Sequence, residues 1–312
     1  MAWNTIPMNV LGKEIGRDQS YLIRNLSRGF KVIWRDPTSR FAFLYLSALL
    51  VLAVVGQEIT PYSYDRVFYA SEGGILRSQP PSIAHPLGTT SSGRDVLSRL
   101  VYGVQPTVIT GFVGGAIIIG IGMTVGVLAG YVGGWVESTL MRITDFAYSV
   151  PTIPFAIVLV SFLEVGFFAS IIVIGLILWR GNARVLRSQV IQIKERPFIL
   201  AAKATGSSRI RIIVKHILPN IAPMAALFFS LGVGYAILVN AGLAFIGVSS
   251  PFIPSWGVMI RNAYQSGTMV QAPWWSLPPG ILISLTVMSA FMIGRQLEDS
   301  DEDERSVTGA GP

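Results

Sequence analysis

Apolar residues of this chain gather in six long segments that are separated by shorter polar ones. The segments are 41–59, 106–132, 143–163, 165–179, 221–247 and 279–294. A helix needs roughly 20 apolar residues to cross a bilayer, and several of the segments reach that length. The fourth is short, and we expect it to continue as a helix past Trp179, with Arg180 and Arg184 reaching towards the membrane surface. The pattern therefore predicts an all-α membrane protein with about six transmembrane helices.

Composition and charge agree with this prediction and suggest an orientation. Hydrophobic residues make up 51% of the chain and charged residues 13%, whereas soluble proteins contain about 25% charged residues. Segments 1–40 and 180–216 hold seven and nine Lys and Arg residues, while 248–275 holds only Arg261. The positive-inside rule then places both termini of this multi-pass chain in the cytoplasm. We expect the excess basic residues to contact lipid headgroups and not nucleic acid.

The residue types that carry catalysis or bind metals are scarce. The chain has no cysteine and only two histidines, His85 and His216, which are far apart in sequence. It lacks the motifs HExxH, GxSxG and GxxxxGK[ST]. The sequence therefore predicts that the protein is not an enzyme and has no metal site, and it assigns no substrate-binding residue.

A basic loop, 196–220, lies between two apolar segments. Pro197 suits the first turn of a helix, and Gly206 suits the left-handed position that follows a helix. One helical face between them is formed by Phe198, Ala201, Ala202 and Thr205. A second apolar stripe, Ile210, Ile213 and Val214, is expected to end at Pro219. The alternative is an ordinary helix–turn–helix that lies on the membrane surface.

Glycines recur every four residues in and after the second segment. They are Gly122, Gly126, Gly130 and Gly134. Small residues at this spacing let helices approach closely in lipid, so we expect tight packing within the subunit or against a partner. Lining of a pore is the alternative.

Two features are expected near the cytoplasmic edge of the third segment. Arg142 and Asp145 are spaced i, i+3, so they are predicted to form an ion pair at the membrane edge, with a functional role as the alternative. Pro151 and Pro154 are each expected to kink the helix, because each removes a backbone hydrogen bond.

Five blocks carry a family resemblance, and they stand in the same order as in that family. They are HPLGTTSSGRDVLSRLVYG (85–103), GVLAGYVGGWVE (126–137), MRITDFAYSVPTIP (141–154), RPFILAAKATGSSRIRIIVKHILPN (196–220) and AILVNAGLAFIGVSSPFIPSWG (236–257). These blocks resemble the C-type transmembrane subunit of ABC importers of the dipeptide, oligopeptide and nickel family. This chain departs from the family pattern at Thr90 and Asn240, where the family has acids, and at Leu200 and His216, where it has glutamate and isoleucine.

The resemblance implies a type I ABC importer permease fold with a cytoplasmic coupling loop. It implies one of two transmembrane subunits, forming half of the translocation pathway. The implied partners are a sister permease, two ATPase subunits that bind ATP and Mg, and an external solute-binding protein, with no cofactor on this chain. The implied substrate is a di- or oligopeptide, with nickel or another small solute as the alternative. The implied ATPase-coupling residues are Pro197, Phe198, Ala201, Ala202, Thr205, Gly206, His216, Leu218 and Pro219.

Two other classes of protein stay open at this point. An ion-coupled secondary transporter should show inverted repeats and acids near the membrane midplane, and neither is clear here. A membrane-embedded hydrolase needs a nucleophile with a base or a metal, for which the segments offer only isolated Ser, Asn and Asp residues.

The chain divides into four predicted regions. They are a cytoplasmic arm (1–40), a first helix with an external loop (41–105), a core permease domain (106–295) with a coupling loop at 190–220, and an acidic cytoplasmic tail (296–312). The tail is expected to be solvated and disordered. In the external loop, Ser92 and Asp95 have capping-box spacing before a short helix, and His85 is expected to make a local hydrogen bond.

Overall fold

The fold is described by a computed structural model that covers residues 33–307 except 35, 72, 163–165 and 249–252. Side chains are described as far as Glu298. Most of the predicted N-terminal arm therefore lies outside the described residues, as do the last five residues of the tail.

The described chain is helical, with one long irregular loop. The helices are α1 (Pro37–Ile59), α2 (Val96–Tyr102), α3 (Val104–Val132), α4 (Gly134–Ser149), α5 (Thr152–Phe162), α6 (Phe167–Leu178), α7 (Arg180–Lys194), α8 (Pro197–Ala204), α9 (Arg209–Ile212), α10 (Leu218–Ile246), α11 (Trp256–Gln265) and α12 (Pro273–Val307). A π-helical turn, Ile213–Ile217, joins α9 to α10. Isolated bridges in the stretch 67–95 are the β-pairing found in this part of the chain.

Six membrane spans are obtained when each bent helix pair counts as one. Within the described residues, four helical stretches are long and apolar enough by themselves: Pro37–Ile59, Val96–Val132, Arg209–Ile246 and Pro273–Glu298. The pair α4 and α5 is bent by 88°, and the pair α6 and α7 by 45°. The predicted all-α fold with about six spans is confirmed, and the fourth span does continue as a helix beyond Trp179.

The third span is broken where Pro151 was expected to kink it. Val150, just before this proline, has extended backbone angles (φ −86°, ψ 123°), as the proline ring requires of its neighbour. The kink expected at Pro154 is wrong, because Pro154 lies in the first turn of α5, where a missing N–H leaves no hydrogen bond unmade. The span is therefore an elbow of two helices.

Helix α3 is central and contacts other helices through its glycines. A Cβ atom on Gly122, Gly126 or Gly130 would come within 3.0 Å of α7 or of Trp179, which precedes it. We call these three residues the glycine stripe. Gly134 does not belong to it: this residue starts α4 with a φ of +58°, and a Cβ there would meet nothing within 4 Å. Gly134 therefore does not pack closely within the subunit, because α3 has already ended at Val132, and its packing against a partner stays a prediction.

Buried apolar residues form separate cores towards the two ends of α3. One core joins the start of α3 to α1, α2, α11 and α12. The other, which we call the α8 core, joins the end of α3 to α7, α8, α9 and α10. Its members are Val127, Tyr131, Leu186, Val190, Ile193, Ile199, Ile212, Ile217 and Ile221. The long loop and α8 therefore lie at opposite ends of α3.

The long loop is tied to α2 by a buried acid. Asp95 caps α2 by accepting a hydrogen bond from the Ser98 amide at 2.8 Å. The predicted capping box started three residues too early, because Asp95 itself, and not Ser92, is the residue before the helix. The other Asp95 oxygen lies 2.9 Å from Nδ1 of the buried His85, which is the local hydrogen bond expected of that histidine.

The last helix is longer than its apolar segment. Helix α12 begins at Pro273 and runs to Val307, so most of the acidic tail is helical and the expectation of disorder is wrong there. Residues 295–307 contain no Gly or Pro, so an existing helix can propagate through them at little cost.

Candidate functional site

The basic loop between α7 and α10 folds into a short helix with well-defined ends. Pro197 occupies the first turn of α8, where its missing N–H is not needed. At the other end, the Gly206 amide donates to the Lys203 carbonyl and the Ser207 amide to the Ala202 carbonyl, both at 3.0 Å. This pattern is a Schellman motif, which requires a left-handed residue, and Gly206 has a φ of +79°.

Helix α8 is anchored on one side and exposed on the other. Ile199 is 0% exposed and packs into the α8 core, and Ala202 packs beside it. Phe198 and Leu200 are 41% and 50% exposed. The exposed residues also include Ala201, Ala204 and Thr205. Of the predicted face, Ala202 therefore belongs to the inner side, while the other three residues face outwards.

The apolar residues that are buried after α8 are not the ones that the sequence pattern indicated. Ile212 and Ile217 are buried in the α8 core, while Ile210 and Val214 are exposed. The predicted apolar stripe of Ile210, Ile213 and Val214 is therefore divided: Ile213 packs against the α8 core, and the other two residues are exposed. The π-helical turn changes the angular spacing of the residues that follow Ile212. Exposed apolar side chains occur on both sides of the Gly206 turn.

Pro219 does not end a helix. The π-helical turn ends with the Leu218 amide bonded to the Ile213 carbonyl, and α10 runs on through Pro219 from its first turn. The Asn220 side-chain amide donates to the His216 carbonyl at 2.7 Å, which satisfies one backbone oxygen near the proline. The His216 ring lies 6.1 Å from the ring of Phe198. Leu218 is half-buried and Pro219 is exposed at the start of α10.

Two arginines of α7 form ion pairs with acids of α4. Arg187 pairs with Glu137, with its Nε 2.7 Å from the carboxylate. Arg184 pairs with Asp145 at 2.6 Å. The predicted pair of Arg142 with Asp145 is therefore wrong: α4 lies along α7, so the aspartate meets an arginine of the other helix, and Arg142 is exposed.

The third arginine of α7 holds the elbow between α4 and α5. The guanidinium of Arg180 donates to the carbonyls of Ala147 and Val150 and to the hydroxyl of Thr152. It also lies 5.1 Å from the ring centroid of Tyr148. A broken helix leaves carbonyls without intrahelical donors, and Arg180 supplies donors to two of them. The sequence signal was the spacing i, i+4, i+7 of Arg180, Arg184 and Arg187, of which only the first two were assigned a role from the sequence, as contacts with the membrane surface.

Comparison with known proteins agrees with this architecture. Residues 122–299 match the family described as binding-protein-dependent transport system inner membrane component. The dipeptide transport system permease protein DppC of Alkalihalophilus pseudofirmus is 34% identical over 91% of each chain. The oligopeptide transport system permease protein OppC of Haemophilus influenzae is 29% identical over 96% of this chain and 97% of its own length.

A third relative is named for the transport of glutathione. The glutathione transport system permease protein GsiD of Pectobacterium atrosepticum is 31% identical over 86% of this chain and 90% of its own. The family model covers more than half of the chain, and the relatives align with nearly all of it. This chain therefore belongs to the family of inner membrane components of binding-protein-dependent transport systems, as a permease of an ABC importer.

Proposed function

We propose that this permease imports di- or oligopeptides and forms half of the translocation pathway beside a sister permease. The names of the relatives support this substrate class. The relative at 34% identity is named for dipeptide transport and the one at 29% for oligopeptide transport, and both align with nearly the whole chain. Transport would proceed by alternating access, in which the pathway opens to one side of the membrane at a time.

The proposal includes an orientation and a set of partners. The Lys and Arg distribution supports cytoplasmic termini in a prokaryotic cell membrane, and hence an external position for the loop 60–95. An external solute-binding protein would then meet the end of the bundle that carries this loop. Two ATPase subunits would bind ATP and Mg at the other end.

Helix α8 is the proposed contact with an ATPase subunit. It is short and fixed to the α8 core by Ile199, yet it exposes Phe198 and Leu200. An apolar face of this kind needs a groove or the membrane surface to cover it. Leu200 stands where the resemblance places glutamate, so contact here would be apolar and shape-dependent.

The anchoring of α8 supports a route for the coupling. Ile199 packs with residues of α7, α3 and α9 in one core. The helix from Arg209 to Ile246 is continuous and is long and apolar enough to cross the membrane. A displacement of α8 would therefore be transmitted both through the core and through the Gly206 turn into α10.

An uptake assay tests the substrate class. Cells that lack this gene should lose uptake of labelled di- or oligopeptides and regain it when the gene is restored. Retained peptide uptake together with lost Ni²⁺ uptake would overturn the peptide assignment and leave the permease assignment intact.

Site-specific crosslinking tests the contact. The chain has no cysteine, so single cysteines can be introduced without a prior deletion. The variants Ala201→Cys and Thr205→Cys should crosslink to an ATPase subunit. The matched control Ala202→Cys lies on the inner side of the same helix and should crosslink poorly. Equal reaction of all three, or reaction of none, would contradict the proposed docking face.

A further inference from the structure

A small polar cavity lies between α3, α10 and the start of α11. It has a volume of about 10 Å³ and is lined by two threonines of α3, Thr107 and Thr110, by Asn240 of α10 and by Ser255, the residue before α11. Ile237 and Ile283 form part of its apolar wall. The cavity therefore brings four uncharged polar side chains together inside the apolar part of the bundle.

Two oxygen atoms of this cavity have no hydrogen-bond partner among the described residues. They are Oγ1 of Thr110 and Oδ1 of Asn240, in residues that are 0% and 7% exposed. The Oδ1 of Asn240 makes no hydrogen bond with the described protein. Buried polar atoms are almost always hydrogen-bonded, so two of them at one cavity call for a common partner.

The other two polar side chains of the cavity, Thr107 and Ser255, can each make one further hydrogen bond. The Thr107 hydroxyl donates to the Gly103 carbonyl at 2.7 Å, which leaves its oxygen free to accept. The Ser255 oxygen accepts from the Val258 amide at 3.3 Å, which leaves its hydrogen free to donate. With Thr110 as a second donor and Asn240 as a second acceptor, the cavity offers two donors and two acceptors.

We propose that this cavity binds one ordered water molecule that joins α3, α10 and the start of α11. Water accepts two hydrogen bonds and donates two, which matches the donors and acceptors that line the cavity. A volume of about 10 Å³ lies at the lower limit for one water molecule, roughly 10–15 Å³. No charged side chain lines the cavity in the described part of the chain, and a buried ion without a counter-charge is unfavourable.

The water has a structural role at a junction of three helices. Beside the cavity, the indole of the buried Trp256 donates to the Leu100 carbonyl at 2.9 Å, which fixes the start of α11 to α2. The water adds links from this point to α3 and α10. Buried waters with three or four hydrogen bonds are part of the fold and are costly to remove.

The direction in which Thr110→Val shifts the midpoint of thermal unfolding tests the proposal. In the purified full chain with its partner subunits, Thr110→Val should lower the midpoint of thermal unfolding by roughly 2–4 °C, because the water loses a donor. A dry cavity predicts the opposite sign, since the variant would then remove an unsatisfied buried hydroxyl. Thr144→Val is the matched control: this buried threonine bonds the Leu140 carbonyl of its own helix at 2.8 Å, so its variant should change the midpoint less.

A double-mutant cycle tests whether two residues share the water. Thr110→Val and Asn240→Leu should destabilise less together than the sum of their separate effects, because either one alone displaces the same molecule. A high-resolution map of the unaltered protein should show a density peak within hydrogen-bond distance of both oxygen atoms. That peak should be missing from the Thr110→Val variant.

Three results would overturn the proposal. They are a rise in the midpoint for Thr110→Val, an empty cavity in a map that resolves other buried waters, and a midpoint that rises with sodium concentration to saturation. The last would identify a cation site. Replacement of sodium by choline at constant ionic strength should leave the midpoint unchanged if the occupant is water.

Discussion

Direct backbone contact between α3 and α7 predicts that one methyl group at the glycine stripe will separate the two helices. A Cβ atom on Gly126 would lie 2.7 Å from the Ala183 carbonyl oxygen and 2.9 Å from Leu186 Cβ. Contacts of a Cβ atom below 3.0 Å essentially do not occur in proteins. Neither neighbour is the end of a flexible side chain, so Gly126→Ala can be accommodated only if α7 moves away from α3.

The same helix contains a control for this substitution. Gly120 also lies within α3, but a Cβ there would meet nothing within 4 Å. Replacement of Gly by Ala favours a helix by about 0.8–1 kcal/mol at either position, so this gain cancels when the two variants are compared. The remaining difference is the overpacking at Gly126, for which we expect about 1–3 kcal/mol.

The assay is thermal unfolding of the purified protein, followed together with transport. The midpoint for Gly126→Ala should fall roughly 2–10 °C below that for Gly120→Ala. Gly130→Ala should behave like Gly126→Ala, because its Cβ would meet the Arg187 carbonyl oxygen at 2.8 Å. If all three variants unfold at the same temperature and transport normally, the reasoning about close contact is refuted.

Other predictions concern the α8 turn, the elbow and the orientation. At Gly206, a valine side chain would have free space but would strain a left-handed backbone, so the Gly206→Val variant should show less substrate-stimulated ATPase activity. The control Gly267→Val also replaces a glycine of positive φ (+68°), but in another loop, and it should leave coupling intact. Arg180 reaches its three acceptors through two nitrogens of a planar guanidinium, and Arg180→Lys leaves a single nitrogen that cannot occupy both places. The amides of residues 147–155 should therefore exchange hydrogen faster, and unchanged exchange would contradict the elbow contact. A cysteine at Ser71 should react with an impermeant thiol reagent from outside, and one at Ser188 should not; labelling of Ser188 would reverse the orientation.

Local signals in the sequence were sufficient for the elements that depend on local chemistry. The apolar segments located the spans because a bilayer demands a minimum length of apolar helix. Gly206 was placed correctly at the end of α8, because a left-handed turn favours glycine wherever it occurs. The break at Pro151 was foreseen for a similar reason, although its angle of 88° was not.

Features that depend on which helices are neighbours were missed. The partner of Asp145 is Arg184, 39 residues away, and nothing in the local spacing distinguishes it from the nearer Arg142. The inner position of Ala202 likewise depends on where the α8 core lies relative to the helix. The π-helical turn directly precedes Pro219, whose ring and missing N–H disfavour an ordinary α-helical turn there, and it changed the faces of the residues around it.

Helix α7 contacts each of the features that take part in the proposed coupling. The glycine stripe presses it against α3 without intervening side chains, and its three arginines hold α4 and the elbow. Its final turns share the α8 core with Ile199. Closely packed interfaces are stiff, so a force on α8 would move α7 as a body and not deform it. We therefore expect loosening of the α3–α7 contact to weaken coupling even where the protein remains folded. At a temperature where the Gly126→Ala variant is still fully folded, its transport rate should already be lower than that of the Gly120→Ala variant.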